Sequence, residues 1–140
     1  MFVVLDTNHL SELVRNSAVA AKPKETIIVR DADVFISIVT AQESFEGWLA
    51  LINRHKAGRE QMKGYDLLLQ TIVILSKYTV LPFDSEPAEI FHGMLDSGLR
   101  IGTMDLKIAS ICMAHDATLL TRNVVDFEKV PGLKIENWLD

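Results

Sequence analysis

Apolar residues fall along this chain in two alternating kinds of segment, short unbroken runs and longer stretches at helical spacing. Phe2 to Leu5 is a short β-branched run closed by Asp6, which predicts a buried strand. A helix is expected to start near Thr7 with Leu10, Leu13 and Val14 on one face, followed by an alanine-rich linker or weak helix from Ser17 to Pro23. Asp33 to Val39 reads as a second strand. Thr40 then begins a long helix carrying Phe45, Leu49 and Ile52, broken near Gly58. Gln61 to Tyr78 again has helical spacing, so the two segments form a helical hairpin. A third strand is expected at Thr79 to Leu81, and Pro82 with Asp84 to Pro87 marks a turn and a helix running to the Gly98 region. Thr103 to His115 is a further helix and Thr118 to Thr121 a fourth strand. Asn123 to Glu128 is a short helix, and Pro131-Gly132 turns the chain into a last strand near Leu133 to Glu136.

Strands alternating with helices imply a parallel sheet covered on both faces, because each parallel connection needs a crossover of a dozen or more residues. The expected fold is α/β and three-layered, with a central parallel sheet of four to five strands flanked by helices. With 140 residues, 49% of them hydrophobic, residues 1–140 suit a single domain. The lone Cys112 sits in the apolar run Ile108 to Ala114 and is expected to be a buried small hydrophobe. Met1 to Leu5 is too short for a signal-peptide core, and no apolar run approaches the roughly 18 residues of a membrane span. A cytoplasmic protein without a membrane partner is the expectation. A net charge of −5 argues against sequence-reading DNA binding, which draws on Lys and Arg, but leaves metal-assisted nucleic-acid chemistry open.

Four acids stand at comparable places in this pattern. Asp6 ends the first strand before a helix, a favoured N-cap setting. Glu43 lies three residues after Thr40, the capping-box spacing. Asp105 falls in the first turn of the Thr103 helix, where the helix dipole favours negative charge. Asp126 repeats the capping spacing after Asn123. Each therefore has a purely structural explanation. Three of them nevertheless stand just past the C-terminal end of an expected strand, and Asp105 opens a helix leading into one. In open parallel sheets that edge is where ligands bind. Four carboxylates in one crevice repel one another unless a cation intervenes. All-oxygen donors suit Mg²⁺, with Mn²⁺ able to substitute, rather than zinc. His9, His55, His92 and His115 show no ligand spacing and are expected at the surface or at caps, and no phosphate-binding glycine loop or Gly-x-Ser-x-Gly elbow is present.

Four blocks then carry a resemblance: Val3-Val4-Leu5-Asp6-Thr7-Asn8; Ile36 to Thr40 with Glu43 and Gly47; Arg100-Ile101-Gly102-Thr103-Met104-Asp105 through Ala109; and Leu119 through Phe127 with Val130-Pro131-Gly132-Leu133 close behind. In this order and spacing they resemble the PIN-domain family, and specifically VapC-like toxins of bacterial toxin–antitoxin pairs. Arg15 to Val34 departs from the family pattern, and Gln42 and Ser44 flank Glu43 where family members often carry apolar residues. The resemblance implies a Mg²⁺-dependent endoribonuclease with Asp6 and Asp105 as the most direct metal ligands, Glu43 and Asp126 holding a second ion or orienting the attacking water. It places Thr121 and Asn123 in or beside the site, with Thr7 or Asn8 supporting Asp6. Turn and cap bonding is the structural alternative for those four.

The resemblance also implies an RNA substrate, a homodimer, and a small antitoxin that supplies any DNA binding. Arg54, Lys56 and Arg59, in the densest basic stretch, and Lys107 and Arg122, nearer the acids, are candidate RNA-backbone contacts, set against a reading as solvated helix ends. Trp48 suits core packing or a partner surface. Two other readings use the same residues: a PIN-like domain that binds metal or RNA without cutting, and a phosphatase-like hydrolase with Asp6 as nucleophile.

Overall fold

A computed structural model describes all 140 residues, Met1–Asp140. Five strands, β1 (Phe2–Leu5), β2 (Asp33–Ser37), β3 (Thr79–Leu81), β4 (Thr118–Leu120) and β5 (Lys134–Glu136), form one sheet in the order β3-β2-β1-β4-β5. Every pairing is parallel. The chain moves outward from β1 through β2 to β3, then crosses back to lay β4 and β5 on the other side of β1. The order therefore reverses at β1, whose Leu5 pairs with Ile36 on one side and Leu120 on the other.

The helices are α1 (Thr7–Arg15), α2 (Ala21–Val29), α3 (Ile38–Asn53), α4 (Gly58–Lys77), α5 (Ser85–Asp96), α6 (Thr103–Ala114) and α7 (Val124–Phe127), with one 3₁₀ turn at Ala18–Ala20. Strand residues alternate between two cores, as the two-residue period of a strand requires. Val4 and Leu119 pack with Phe91, Leu106, Ile108 and Ile111 from α5 and α6. Val3, Leu5, Ile36 and Leu120 pack on the other face with Leu10 and Leu13 of α1, Trp48 of α3 and Leu67 of α4. This is the three-layer α/β architecture expected from the alternation of runs, with five strands.

Three boundaries differ from the sequence reading. The second strand stops at Ser37, and Ile38 and Val39 already belong to α3. Ser37 is the cap: its hydroxyl accepts from the Thr40 amide at 2.9 Å, so the Thr40-to-Glu43 capping box does not form. The stretch read as ending in a linker at Pro23 continues as α2 to Val29, with Pro23 in the helix's first turn, where the missing N–H costs nothing. Gly58 opens α4 rather than closing the helix before it. Cys112 is buried, as its apolar surroundings suggest. No helix is long and apolar enough to cross a membrane.

Candidate active site

The C-terminal ends of β1 and β4 hold the first elements of the site. Asp6 follows β1 directly, and its backbone amide donates to the Leu120 carbonyl at 2.9 Å, so its position is fixed by the sheet itself. It caps α1, with Oδ1 accepting from the Thr7 amide at 2.8 Å. Its Oδ2 accepts from the Thr121 hydroxyl at 2.7 Å, and the residue is buried. Thr121 in turn accepts from the Asn123 amide at 2.9 Å.

From this centre the network reaches the other three acids. The Thr7 hydroxyl donates to Glu43 Oε1 at 2.9 Å. The Asn123 side-chain amide donates to Asp126 Oδ2 at 3.1 Å and, more weakly, to Asp105 Oδ2 at 3.4 Å. One string of hydrogen bonds thus runs from Glu43 through Thr7, Asp6, Thr121 and Asn123 to Asp105 and Asp126. The capping and site readings of Asp6 hold together, since one oxygen caps the helix while the other faces Thr121.

The electrostatics of the string are uneven. Burial lifts Asp6 above the ordinary carboxylate range, against the hydrogen bonds from Thr121 and Thr7. Burial also lifts Glu43, and the charges of Asp6 and Asp105 add to it. Asp105 is raised by burial and by its neighbours Asp6 and Asp126. Asp126 goes the other way, because the Asn123 amide and the Lys129 ammonium favour its charged form. Asp6, Glu43 and Asp105 are thus each held where negative charge is disfavoured, which a bound cation would reverse.

Of the remaining residues singled out in the sequence, Asn8 is exposed and lies outside this network. Arg122 is held between Glu12, at 3.9 Å, and Asp140, at 3.4 Å. Lys107 lies over the rings of Phe83 and Phe91, 5.8 Å from each centroid, roughly 200° round the helix from Asp105. Lys56 and Arg59 are exposed where α3 gives way to α4, and Arg54 stands at the end of α3.

Lys129 escaped the sequence reading, although its ammonium lies 3.3 Å from Asp126. His9 also differs from expectation. It is fully buried, its Nε2 accepts from the Trp138 amide at 3.2 Å, and its Nδ1 has no partner. Desolvation, with the nearby Arg122 charge, lowers its pKa to about 4 and keeps it neutral.

No three carboxylates, histidines or cysteines converge closely enough to form a ready-made metal cage. The donor set still fits Mg²⁺, which is held by one or two carboxylates and keeps several waters, and every free donor here is an oxygen. Asp6 and Asp105, whose charges repel each other and which are linked through Thr121 and Asn123, are the carboxylates that would hold such an ion.

The acids follow the carboxyl ends of an open parallel sheet beside the point where its strand order reverses, the edge at which such sheets bind ligands, and the family model of the PIN domain matches residues 3–133. The chain belongs to the PIN domain family. Within it, the chain is 26% identical to Ribonuclease VapC2 of Rickettsia felis, covering 99% of this chain and 98% of that one. It is 27% identical to the tRNA(fMet)-specific endonuclease VapC of Shigella flexneri over 96% of each. Its fold matches VapBC2 of Rickettsia felis bound to a promoter DNA fragment, with a TM-score of 0.74, 24% identity and 99% of each chain covered. VapBC-1 of nontypeable Haemophilus influenzae gives a TM-score of 0.76 at 18% identity over the whole of both chains.

Proposed function

We propose that this chain is a Mg²⁺-dependent endoribonuclease that hydrolyses RNA phosphodiester bonds and serves as the toxin of a toxin–antitoxin pair. The observation that carries the reading is the string from Glu43 to Asp126, which ties all four acids to one edge of the sheet. The relatives named as VapC ribonucleases, with their near-complete coverage, support the same activity.

Asp6 and Asp105 would hold the principal ion, with Mn²⁺ able to replace Mg²⁺. Bound Mg²⁺ supplies a Lewis acid at the phosphate and lowers the pKa of a coordinated water. Thr121 fixes the orientation of Asp6 by its hydroxyl, and Asn123 sets Asp105 and Asp126 relative to each other. Glu43 keeps Oε2 free while Oε1 is engaged by Thr7, and its raised pKa suits it to take a proton from the attacking water. Asp126 is bound by both Asn123 and Lys129, which makes it the more static of the two supporting acids.

Partner binding is part of the same proposal. Met62, Tyr65, Leu69 and Ile72 form an exposed apolar stripe along α4, and Ile28 and Val29 are exposed at the end of α2. Surfaces of this kind mark protein–protein contacts. They offer room for an antitoxin and for a second copy of the chain in a homodimer, with DNA contacted only through the antitoxin. A cytoplasmic location follows from an RNA substrate.

The test is cleavage of labelled single-stranded RNA and total transfer RNA by the purified chain with Mg²⁺, Mn²⁺ or EDTA, beside Asp6→Ala and Asp105→Ala. Metal-dependent cutting that both substitutions abolish supports the reading. Equal cutting by the variants traces the activity to a contaminant, and no cutting of either RNA favours a non-catalytic PIN domain.

A further inference from the structure

A cleft of about 320 Å³ opens beside the acids, between α1 and α3. Its inner end is the pair Thr7 and Glu43, joined by their 2.9 Å hydrogen bond. From there it follows one face of each helix and ends at Arg15 and Arg54. The helical rise places these arginines roughly 12–16 Å along the cleft from Thr7 and Glu43.

Four features mark this cleft. Arg15 and Arg54, like eight other lysines and arginines of the chain, take part in none of the ion pairs and so are free to meet an anion. The Arg15 guanidinium rests 5.2 Å above the ring of Trp48, and that ring is anchored by a 2.7 Å bond from its Nε1 to Thr71. Ser44, on the cleft wall and 4% exposed, has a hydroxyl with no hydrogen-bond partner. Gly47, one turn further along α3, is exposed, has no positive φ, and an added Cβ would meet nothing within 4 Å. Neither packing nor backbone geometry calls for glycine there, and helix propensity opposes it. What a glycine does provide is open space on the cleft floor.

We infer that this cleft is the subsite for single-stranded RNA flanking the scissile phosphate, with Arg15 and Arg54 holding backbone phosphates beyond it. The inference rests on the ribonuclease reading of the acids. A cleft of about 320 Å³ between two helices is small for a ligand pocket, which suits a short stretch of single strand. An unpaired guanidinium can match phosphate oxygens bidentately, and the Trp48 platform restricts Arg15 to one side of the groove.

The experiment measures binding of a labelled single-stranded RNA oligonucleotide by fluorescence anisotropy across a salt series, in an Asp105→Asn background that prevents cleavage. Arg15→Gln with Arg54→Gln is expected to weaken binding about tenfold or more and make the salt slope shallower by about 1.4, two contacts at about 0.7 each. Gly47→Gln, which leaves both charges in place, is expected to weaken binding with the slope unchanged while the protein melts no lower. Lys24→Gln with Lys77→Gln removes two cations outside the cleft and controls for net charge. Binding by the arginine double variant equal to that of this lysine control overturns the inference, as does undiminished binding by Gly47→Gln. If the intact protein cuts RNA while the cleft variants bind normally, only the subsite is wrong. If the intact protein neither cuts nor binds RNA, the ribonuclease reading fails and the subsite with it.

Discussion

The hydroxyl of Thr121 donates to the buried carboxylate of Asp6 at 2.7 Å, joining two residues 115 positions apart. The same oxygen accepts from the Asn123 amide, so one side chain sets both the central acid and the loop that orients Asp105 and Asp126. Thr121→Val keeps the shape and removes the hydroxyl, leaving a buried acceptor on Asp6 and a donor on Asn123. The expected cost is about 1–3 kcal/mol of stability and about 10–100-fold in cleavage. Thr121→Ser should retain most of both. Urea unfolding and initial cleavage rates check this, and full activity in Thr121→Val would remove Thr121 from any positioning role.

Asp105 should make the metal-free protein sensitive to pH in a defined direction. Its folded pKa is raised above the ordinary 3.8, so between those values the folded state holds the proton more tightly than the unfolded one. Its contribution is therefore a stability cost that is absent below about 3.8, grows as pH rises through the raised value, and persists at neutral pH. Asp105→Asn removes that cost. Because the side chain is partly exposed, the gain after solvent screening is about 0.5 kcal/mol, or about 1–2 °C in Tm at pH 7.5, and it vanishes on acidification. Added Mg²⁺ should reverse the order, since the wild-type chain gains about 2.7 kcal/mol at a hundredfold excess over Kd. Melting curves in EDTA and in Mg²⁺ decide; identical curves for both proteins in EDTA would mean that Asp105 is not strained by its neighbours.

The legibility of this molecule follows the physics of each element. Strands β1 and β4 are largely buried and so read as short apolar runs; Asp6 was visible as the residue that ends the first, while Glu43 and Asp126 were visible only through their helix-start spacing. The end of β2 was misread because Ile38 and Val39 are β-branched, while the capping bond from Ser37 that starts α3 leaves no apolar signal. Helix α2 was only half seen because it buries Pro23 alone among its nine residues, so it has no inward stripe to detect. Lys129 stands three residues after Asp126, a local spacing that was legible in the sequence, whereas His9 is buried against the distant Trp138. A contact of the second kind carries no local periodicity.

His9 should oppose the acids in pH dependence. Its folded pKa, about 4, lies below the ordinary 6.5, so its contribution to stability is complete above 6.5 and is lost as pH falls toward 4. The full loss is about 3 kcal/mol. His9→Gln retains an acceptor for the Trp138 amide and does not titrate, so its stability relative to wild type should improve steadily from pH 7 to pH 4.5. Parallel urea titrations measure the difference. A constant gap across that range would show that His9 is not desolvated in the folded protein.

Two glycines on the α3–α4 hairpin should respond to alanine in opposite ways, and the contrast separates what the fold requires from what the site requires. At Gly64 of α4, an added Cβ would sit 2.7 Å from Ile52 Cγ1, closer than real Cβ atoms come, with the Ile52 backbone nitrogen at 3.4 Å. Ile52 is itself buried, so the two helices must separate or the isoleucine must leave its rotamer. Gly64→Ala is therefore expected to cost about 1–3 kcal/mol. At Gly47 of α3 the same methyl meets nothing, and replacing glycine within a helix should stabilise by roughly 0.5–1 kcal/mol. Urea unfolding of the two variants tests the signs. If Gly47→Ala stabilises the protein while slowing cleavage of long RNA, the glycine serves the substrate and not the fold. If it stabilises with cleavage unimpaired, a methyl fits beside the bound strand and only larger side chains test the cleft.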